Sequence, residues 1–139
     1  MSCVLDGYRV NAILREDQLT PDSFNFLNLI GMKTKWSNGY YGANVIIAIV
    51  DTGVAPHPEF GDRLLEGKNF ISKYGNKSWQ DDNMHGTHCA GSAAGSRAGV
   101  APKAGILPIK VLGADGSGEW PDVTAALNYL AYQRERGVP

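Results

Sequence analysis

The clearest strand prediction is an uninterrupted apolar run. Val45 to Val50 are six consecutive apolar residues, most of them β-branched, and the run stops at Asp51-Thr52-Gly53. A run without alternation is typical of a strand that is covered on both faces of a parallel sheet, with a neighbouring strand on each side. Gly105 to Leu112 predicts a second buried strand, in which Pro108 indicates an edge position or a bulge.

Two helices are predicted downstream of the first strand. His85 to Gly95 is rich in small residues, which would let a helix pack closely against a sheet. Pro121 to Arg136 begins with a proline suited to the first helical position, and Gly137 follows as a stop. Its apolar stripe has helical spacing and would face the sheet: Val123, Ala126, Leu127, Leu130 and Ala131.

The other segments have weaker patterns. Leu64 to Ile71 predicts a peripheral strand, and residues 72–84 a loop. Upstream of the first strand, Tyr8 to Leu14 predicts a short strand or extended arm, residues 20–23 a turn or helix start, and residues 36–42 an aromatic-rich loop. The order of strand, loop, helix, strand and helix predicts an α/β fold with a parallel sheet, which is incomplete because a further strand should follow the last helix.

Composition excludes several classes of partner. The chain has 139 residues and a formal net charge of −1, without a cluster of Lys or Arg, so neither nucleic acid nor an anionic membrane is expected as a partner. No apolar run approaches the roughly 20 residues of a transmembrane helix. Residues 1–17 lack the basic start and apolar stretch of a secretory signal. We therefore expect a cytoplasmic or virion-associated protein, or a secreted one if a signal was removed.

Candidate chemistry lies where the predicted elements begin and end. Asp51 ends a buried parallel strand, and sites form at the carboxyl ends of such strands, although Asp-Thr-Gly is also an ordinary turn sequence. His85 and His88 open a small-residue helix, but no accompanying glutamate supports a zinc site, and no metal site is predicted. Cys3 and Cys89 could form one bridge, but two free thiols in a reducing compartment fit better.

Two motifs together carry a resemblance to a known family. Ile47-Ala48-Ile49-Val50-Asp51-Thr52-Gly53 and His85-Gly86-Thr87-His88-Cys89-Ala90-Gly91 resemble the Asp and His blocks of the subtilisin family, in the family's order. The similarity continues through residues 99–102, 109–112 and 116–118. The resemblance implies an N-terminal arm over residues 1–35. Residues 36–139 would form the N-terminal part of a subtilisin-like catalytic domain.

The resemblance implies a serine endopeptidase that acts on polypeptides and needs no cofactor for its chemistry. His85 would be the general base and acid, and Asp51 would fix its tautomer and stabilise the imidazolium. The segment Gly116, Ser117 and Gly118 would pair with an extended substrate. Trp120 would flank an apolar subsite, although an ordinary aromatic residue before a helix explains it equally well.

The resemblance also implies roles for nearby residues. Cys89 matches the branch that includes proteinase K, and we expect an inert, buried thiol beneath His85. His88 would be a packed helix residue. Structural calcium is possible, but the segment from Gly91 to Gly99 lacks the longer loop that holds a tight calcium in many relatives. Glu59 lies near where such enzymes supply a ligand, yet its partners are not recognisable, so calcium is not expected there.

The family's Gly-Thr-Ser-Met-Ala block, which holds the nucleophile, does not occur in the 139 residues. Ser92, Ser96 and Ser117 fall where the family has no nucleophile. One interpretation is a protease that supplies Asp and His and is inactive alone, with a complementary C-terminal fragment or self-association. The alternative is a non-catalytic truncated subtilase that binds peptides or a protease.

The N-terminal arm would block the cleft, as in intracellular subtilisins, or be a poorly ordered terminus.

Overall fold

The computed structural model describes residues 2–4, 25–73 and 78–137. Four helices lie in these segments: α1 (Asn25–Leu29), α2 (Met32–Ser37), α3 (His85–Ala94) and α4 (Trp120–Glu135). Five strands accompany them: β1 (Ser2–Val4), β2 (Ile46–Asp51), β3 (Lys68–Asn69), β4 (Gly105–Lys110) and β5 (Ser117–Glu119). The predicted parallel α/β arrangement is confirmed, since β2 and β3 both pair parallel with β4, and α3 lies between β3 and β4 along the chain.

The three-stranded parallel sheet has the order β2-β4-β3. Its longest pairing runs from Ile46 opposite Gly105 to Asp51 opposite Lys110. The sheet is incomplete, as predicted: in the described part of the chain β2 pairs with β4 alone and has no neighbour on its other side. Val45, just before the strand, is accordingly 52% exposed. One long edge of the sheet is therefore open.

Pro108 lies in the central strand, and the prediction of an edge or a bulge there is wrong. It keeps regular register opposite Ile49. The carbonyls of Ile106 and Lys110 accept hydrogen bonds from Leu65 and Phe70, on the β3 side. Because alternate residues of a strand direct their backbone groups to the same side, the missing N–H of Pro108 also belongs to the β3 side. The proline therefore removes no hydrogen bond between β4 and β2. On the other side β3 is only two residues long, so little pairing is lost there.

The two long helices cover opposite faces of the sheet. In β2, Ile47 and Ile49 pack into the cluster under α3, while Ala48 and Val50 pack into the cluster under α4. This alternation is the period of two that a strand imposes on its side chains. Helix α3 packs closely because Ala90 and Ala94, both fully buried, present no bulk to the sheet.

The predicted bounds of helix α4 are confirmed to within one residue. Only part of its apolar stripe is covered by the sheet. Ala126 is buried, and Val123, Leu130 and the unpredicted Tyr129 pack against the sheet. Leu127 is 54% exposed, and Ala131 is exposed as well. The helix presents an apolar surface that no described residue covers.

The remaining predictions have mixed outcomes. The weak strand over residues 64–71 is reduced to β3 and a bridge between Leu64 and Ile106. The described residues of 72–84 form a loop, as predicted. Trp36 lies in α2 rather than in a loop, and its indole donates to the Val100 carbonyl. The predictions for residues 8–14 and 20–23 lie outside the described residues.

Strand β1 brings the N-terminus onto a second, two-stranded sheet. Ser2, Cys3 and Val4 pair antiparallel with Glu119, Gly118 and Ser117, respectively. Strand β5 would otherwise present the unpaired backbone groups of an edge. The first residues of the chain therefore lie on the strand that the resemblance assigned to substrate.

Candidate active site

Asp51 is held rigidly at the carboxyl end of β2. Its residue is 9% exposed, and one carboxylate oxygen accepts a 2.6 Å hydrogen bond from the Thr52 backbone N–H. Its carbonyl accepts from the backbone N–H groups of Val111 and Leu112, just beyond the end of β4. The carboxylate therefore projects from the sheet at a fixed position.

His85, the first residue of α3, lies directly against this carboxylate. Its Nδ1 is 2.8 Å from both Asp51 oxygens. The close approach depends on Gly86, because a Cβ there would lie 2.1 Å from the Gly53 carbonyl oxygen. An imidazole that donates Nδ1–H to a carboxylate presents Nε2 as the basic nitrogen, which is the tautomer of a general base in a Ser-His-Asp triad.

Asp81 organises the loop that delivers His85, and sequence reasoning missed it. Its carboxylate accepts from the Thr52 hydroxyl at 2.8 Å, from the backbone N–H groups of Asn83 and Met84, and from both the N–H and the hydroxyl of Thr87. Met84 takes a φ of 85° at the start of α3. An Asp four residues before the helical histidine was the available signal, but nothing local distinguishes it from its neighbour Asp82.

The predicted substrate-binding residues lie together at β5. Gly116 is in the preceding turn, with a φ of 75°, and Ser117 and Gly118 are in the strand. A Cβ at Gly118 would lie 2.4 Å from the Val111 carbonyl oxygen, so glycine is required for this close packing. Trp120 begins α4 and is 48% exposed. Asp115 accepts hydrogen bonds from both the N–H and the hydroxyl of Ser117.

Comparison with known proteins decides the family, since the model for the Subtilase family matches residues 42–138. The chain belongs to the subtilase family. It is 38% identical over 117 residues to the Major intracellular serine protease of Bacillus subtilis, a match that covers 78% of this chain and 37% of that protease. It is 42% identical over 104 residues to thermitase of Thermoactinomyces vulgaris, covering 70% and 36%. The chain therefore spans about a third of the length of these relatives.

Cys89 lies beside His85, as predicted, but its side chain is half-buried where a buried thiol was expected. Its Sγ is 3.6 Å from Nδ1 of His85, and the half-buried side chain packs against the cluster under α3. Burial raises the pKa of the thiol, and the negative charges of Asp51 and Asp81 raise it further. Since only the thiolate is reactive, this geometry supports an inert thiol.

Ligand atoms of Asp51, His85 and Cys89 lie within 4.8 Å of one another. The contacts among them are hydrogen bonds to Nδ1 of His85, at 2.8 Å from the Asp51 oxygens and 3.6 Å from the Cys89 sulfur.

His88 is exposed, so the expectation of a packed residue is wrong. The face of α3 that packs carries Gly86, Ala90 and Ala94, at a spacing of four, and His88 lies off it.

Glu59 is bound to protein groups in this subtilase. Its carboxylate accepts from the Arg97 backbone N–H at 2.8 Å, from the Arg97 guanidinium, and from the Ser96 hydroxyl at 3.2 Å. Burial raises the pKa of the carboxyl, but these hydrogen bonds and the positive charge lower it by more. The hydroxyls of Ser96 and Ser117 donate to the carboxylates of Glu59 and Asp115, respectively.

None of the described helices is long and apolar enough to span a membrane.

The Asp81 carboxylate should stabilise the fold in a pH-dependent way. Burial raises its pKa, but the hydrogen bonds from Thr87, Asn83 and Thr52 lower it by more. Asp81→Asn should therefore lower the free energy of unfolding at pH 7 by about 2–3 kcal/mol, because bonds to a charged acceptor are lost. The parent should keep this stabilisation above the unfolded pKa of about 3.9 and lose it as pH falls through the lower folded pKa.

Urea unfolding of both proteins from pH 7 to pH 3, at one chain concentration, measures this effect. The difference between parent and Asp81→Asn should shrink below about pH 4. Asp62→Asn, which removes an exposed carboxylate, should leave unfolding unchanged. A difference independent of pH would show that the charge of Asp81 is not what stabilises the loop.

Proposed function

We propose that this chain supplies the Asp and His of a serine endopeptidase, in which His85 is the general base and acid and Asp51 orients it. The observation that carries the proposal is the bond from Nδ1 of His85 to both oxygens of the Asp51 carboxylate. In peptide hydrolysis, Nε2 would take the proton of the attacking serine and pass it to the leaving amine. Asp51 would stabilise the imidazolium between the two steps.

The remaining groups of the reaction would come from a segment with the Gly-Thr-Ser-Met-Ala block. The relatives support this, because each is a protease and this chain matches only about a third of its length. Such a segment would supply the nucleophile, an oxyanion donor and the primary specificity pocket. The similarity to the Major intracellular serine protease supports an intracellular location.

The polypeptide substrate would bind along β5 as an added antiparallel strand. The pairing of Ser2–Val4 with Ser117–Glu119 supports this, because it shows that the edge accommodates an extended segment. Trp120 would contact an apolar substrate side chain at the end of the strand. Because β1 and a substrate would use the same backbone groups of β5, the N-terminal arm would inhibit binding until displaced or removed.

The same pairing supports a second candidate, a non-catalytic protein that binds peptides at β5. A Gly-Thr-Ser-Met-Ala sequence downstream of this segment in the source DNA would favour the protease. Its absence there would favour the binding protein.

The chain alone should not hydrolyse peptides. Residues 1–139 should neither cleave casein nor react with a fluorophosphonate probe, because they do not contain the Gly-Thr-Ser-Met-Ala block that holds the nucleophile. Removal of residues 1–4 should increase the binding of a fluorescent extended peptide, measured by anisotropy, still without cleavage. Stoichiometric labelling of a serine would contradict the proposal, and equal peptide binding with and without residues 1–4 would contradict the inhibitory arm.

A further inference from the structure

Lys110 is a buried cation next to the candidate active site. It is 3% exposed and lies in β4 opposite Asp51. Its Nζ donates to the Thr52 carbonyl oxygen at 2.5 Å and to an Asp82 carboxylate oxygen at 2.6 Å. A buried ammonium requires such partners, because removing it from water is costly.

Both partners belong to segments that position the reacting groups. Thr52 directly follows Asp51, and its N–H binds the Asp51 carboxylate. The Thr52 hydroxyl also accepts from the Gly86 N–H at 2.9 Å, one residue after His85. Asp82 lies in the loop that leads into α3. Lys110 therefore joins the backbone beside Asp51 to the loop before His85 through a single ammonium group.

A role limited to stability would not need a charge at this position. An apolar side chain here would leave no buried charge unpaired, because Asp82 reaches solvent, and Lys110 lies in a strand whose other residues are largely apolar. What an ammonium adds is direction, because its N–H groups fix two oxygen atoms at short distances. Asp82 is partly exposed, with 51% of its side chain accessible, so it would be free to move without Lys110.

We propose that Lys110 is a positioning residue for the Asp51–His85 pair and acts through Thr52 and Asp82. This inference rests on the proposed function. Without the ammonium, the loop of residues 81–84 keeps its Asp81 bond to the Thr52 hydroxyl but loses its second attachment at Asp82, and the Nδ1–H bond to Asp51 loses its alignment. The imidazole then populates the other tautomer, in which Nδ1 is the basic nitrogen and Nε2 carries the proton.

The test is nitrogen-15 NMR of the chain labelled at histidine, recorded in its associated form and at one concentration for all variants, with His57→Gln and His88→Gln to assign the signals. The parent should show an Nδ1–H resonance for His85, shifted downfield by its bond to Asp51. Lys110→Met should lose most of this resonance, and Asp82→Asn should reduce it less, because Thr52 still holds the ammonium. In a form of the protease that contains the serine, Lys110→Met should lower kcat about 10–100-fold with KM nearly unchanged.

Lys103→Met is the matched control, because Lys103 is exposed and lies over the ring of Tyr41. It should leave the His85 resonance as in the parent. If Lys110→Met does not fold, Asp82→Asn carries the test. Variants that unfold more easily yet keep the parent Nδ1–H resonance would overturn the inference. A parent without that resonance would instead contradict the Asp51–His85 pairing itself.

Discussion

We expect His85→Ala to abolish nearly all turnover of any active form of this subtilase. In subtilisin itself, removal of the histidine lowers kcat about 10⁶-fold, and a loss of the same order is expected here. Asp51→Asn should cost about 10⁴-fold, because the general base remains but its tautomer is no longer fixed. Hydrolysis of a chromogenic peptide at saturating substrate measures both effects.

His88→Ala is the control for this prediction. His88 lies three residues further along the same helix and is exposed, so the chemical change is the same while the Asp51 contact is retained. Its kcat should stay close to that of the parent. Equal turnover of His85→Ala and the parent would refute the assignment of the general base.

The second large effect concerns association. Strand β2 has an open edge among the described residues, and exposed apolar side chains lie on α4 and beside β2. Open edges and contiguous apolar surface promote association. We therefore expect the isolated chain to form a dimer, a larger assembly or a complex with a partner, rather than a well-folded monomer.

The topology indicates which edge a further strand would take. At one edge of the sheet β3 is only two residues long, whereas at the other edge the six residues of β2 have no second neighbour among the described residues. A further parallel strand would therefore find most of its pairing on β2. Complementation by the rest of a subtilase would cover that edge.

Light scattering and hydrogen exchange at micromolar concentration measure this association. Leu127→Lys, which places a charge on the exposed part of the α4 stripe, should reduce it. Asn128→Lys adds the same charge at the neighbouring exposed position and should have a smaller effect. A monodisperse monomer that unfolds cooperatively, with protected amides throughout Ile46–Val50, would show that the open edge needs no partner.

Local pattern was sufficient to predict the framework, and the resemblance of two motifs was sufficient to predict the pairing of Asp51 with His85. The apolar run before Asp51, the small residues after His85 and the spacing in α4 each reflect one element packing on one surface, which periodicity reports directly. The Asp51–His85 bond was implied by the resemblance of their two motifs to the Asp and His blocks of the subtilisin family. These features depend on neighbours in sequence and on the family's motifs.

Only the tertiary structure decided what surrounds that pair. Asp81 and Lys110 both bind Thr52, which is 29 and 58 positions away, respectively, and no periodicity encodes such a contact. Pro108 is tolerated in the central strand because the strand beside it is too short to need its N–H. His88 is exposed because the packing face of α3 passes through Gly86 and Ala90. Partners distant in sequence determine each of these, so they emerge only when the chain is folded.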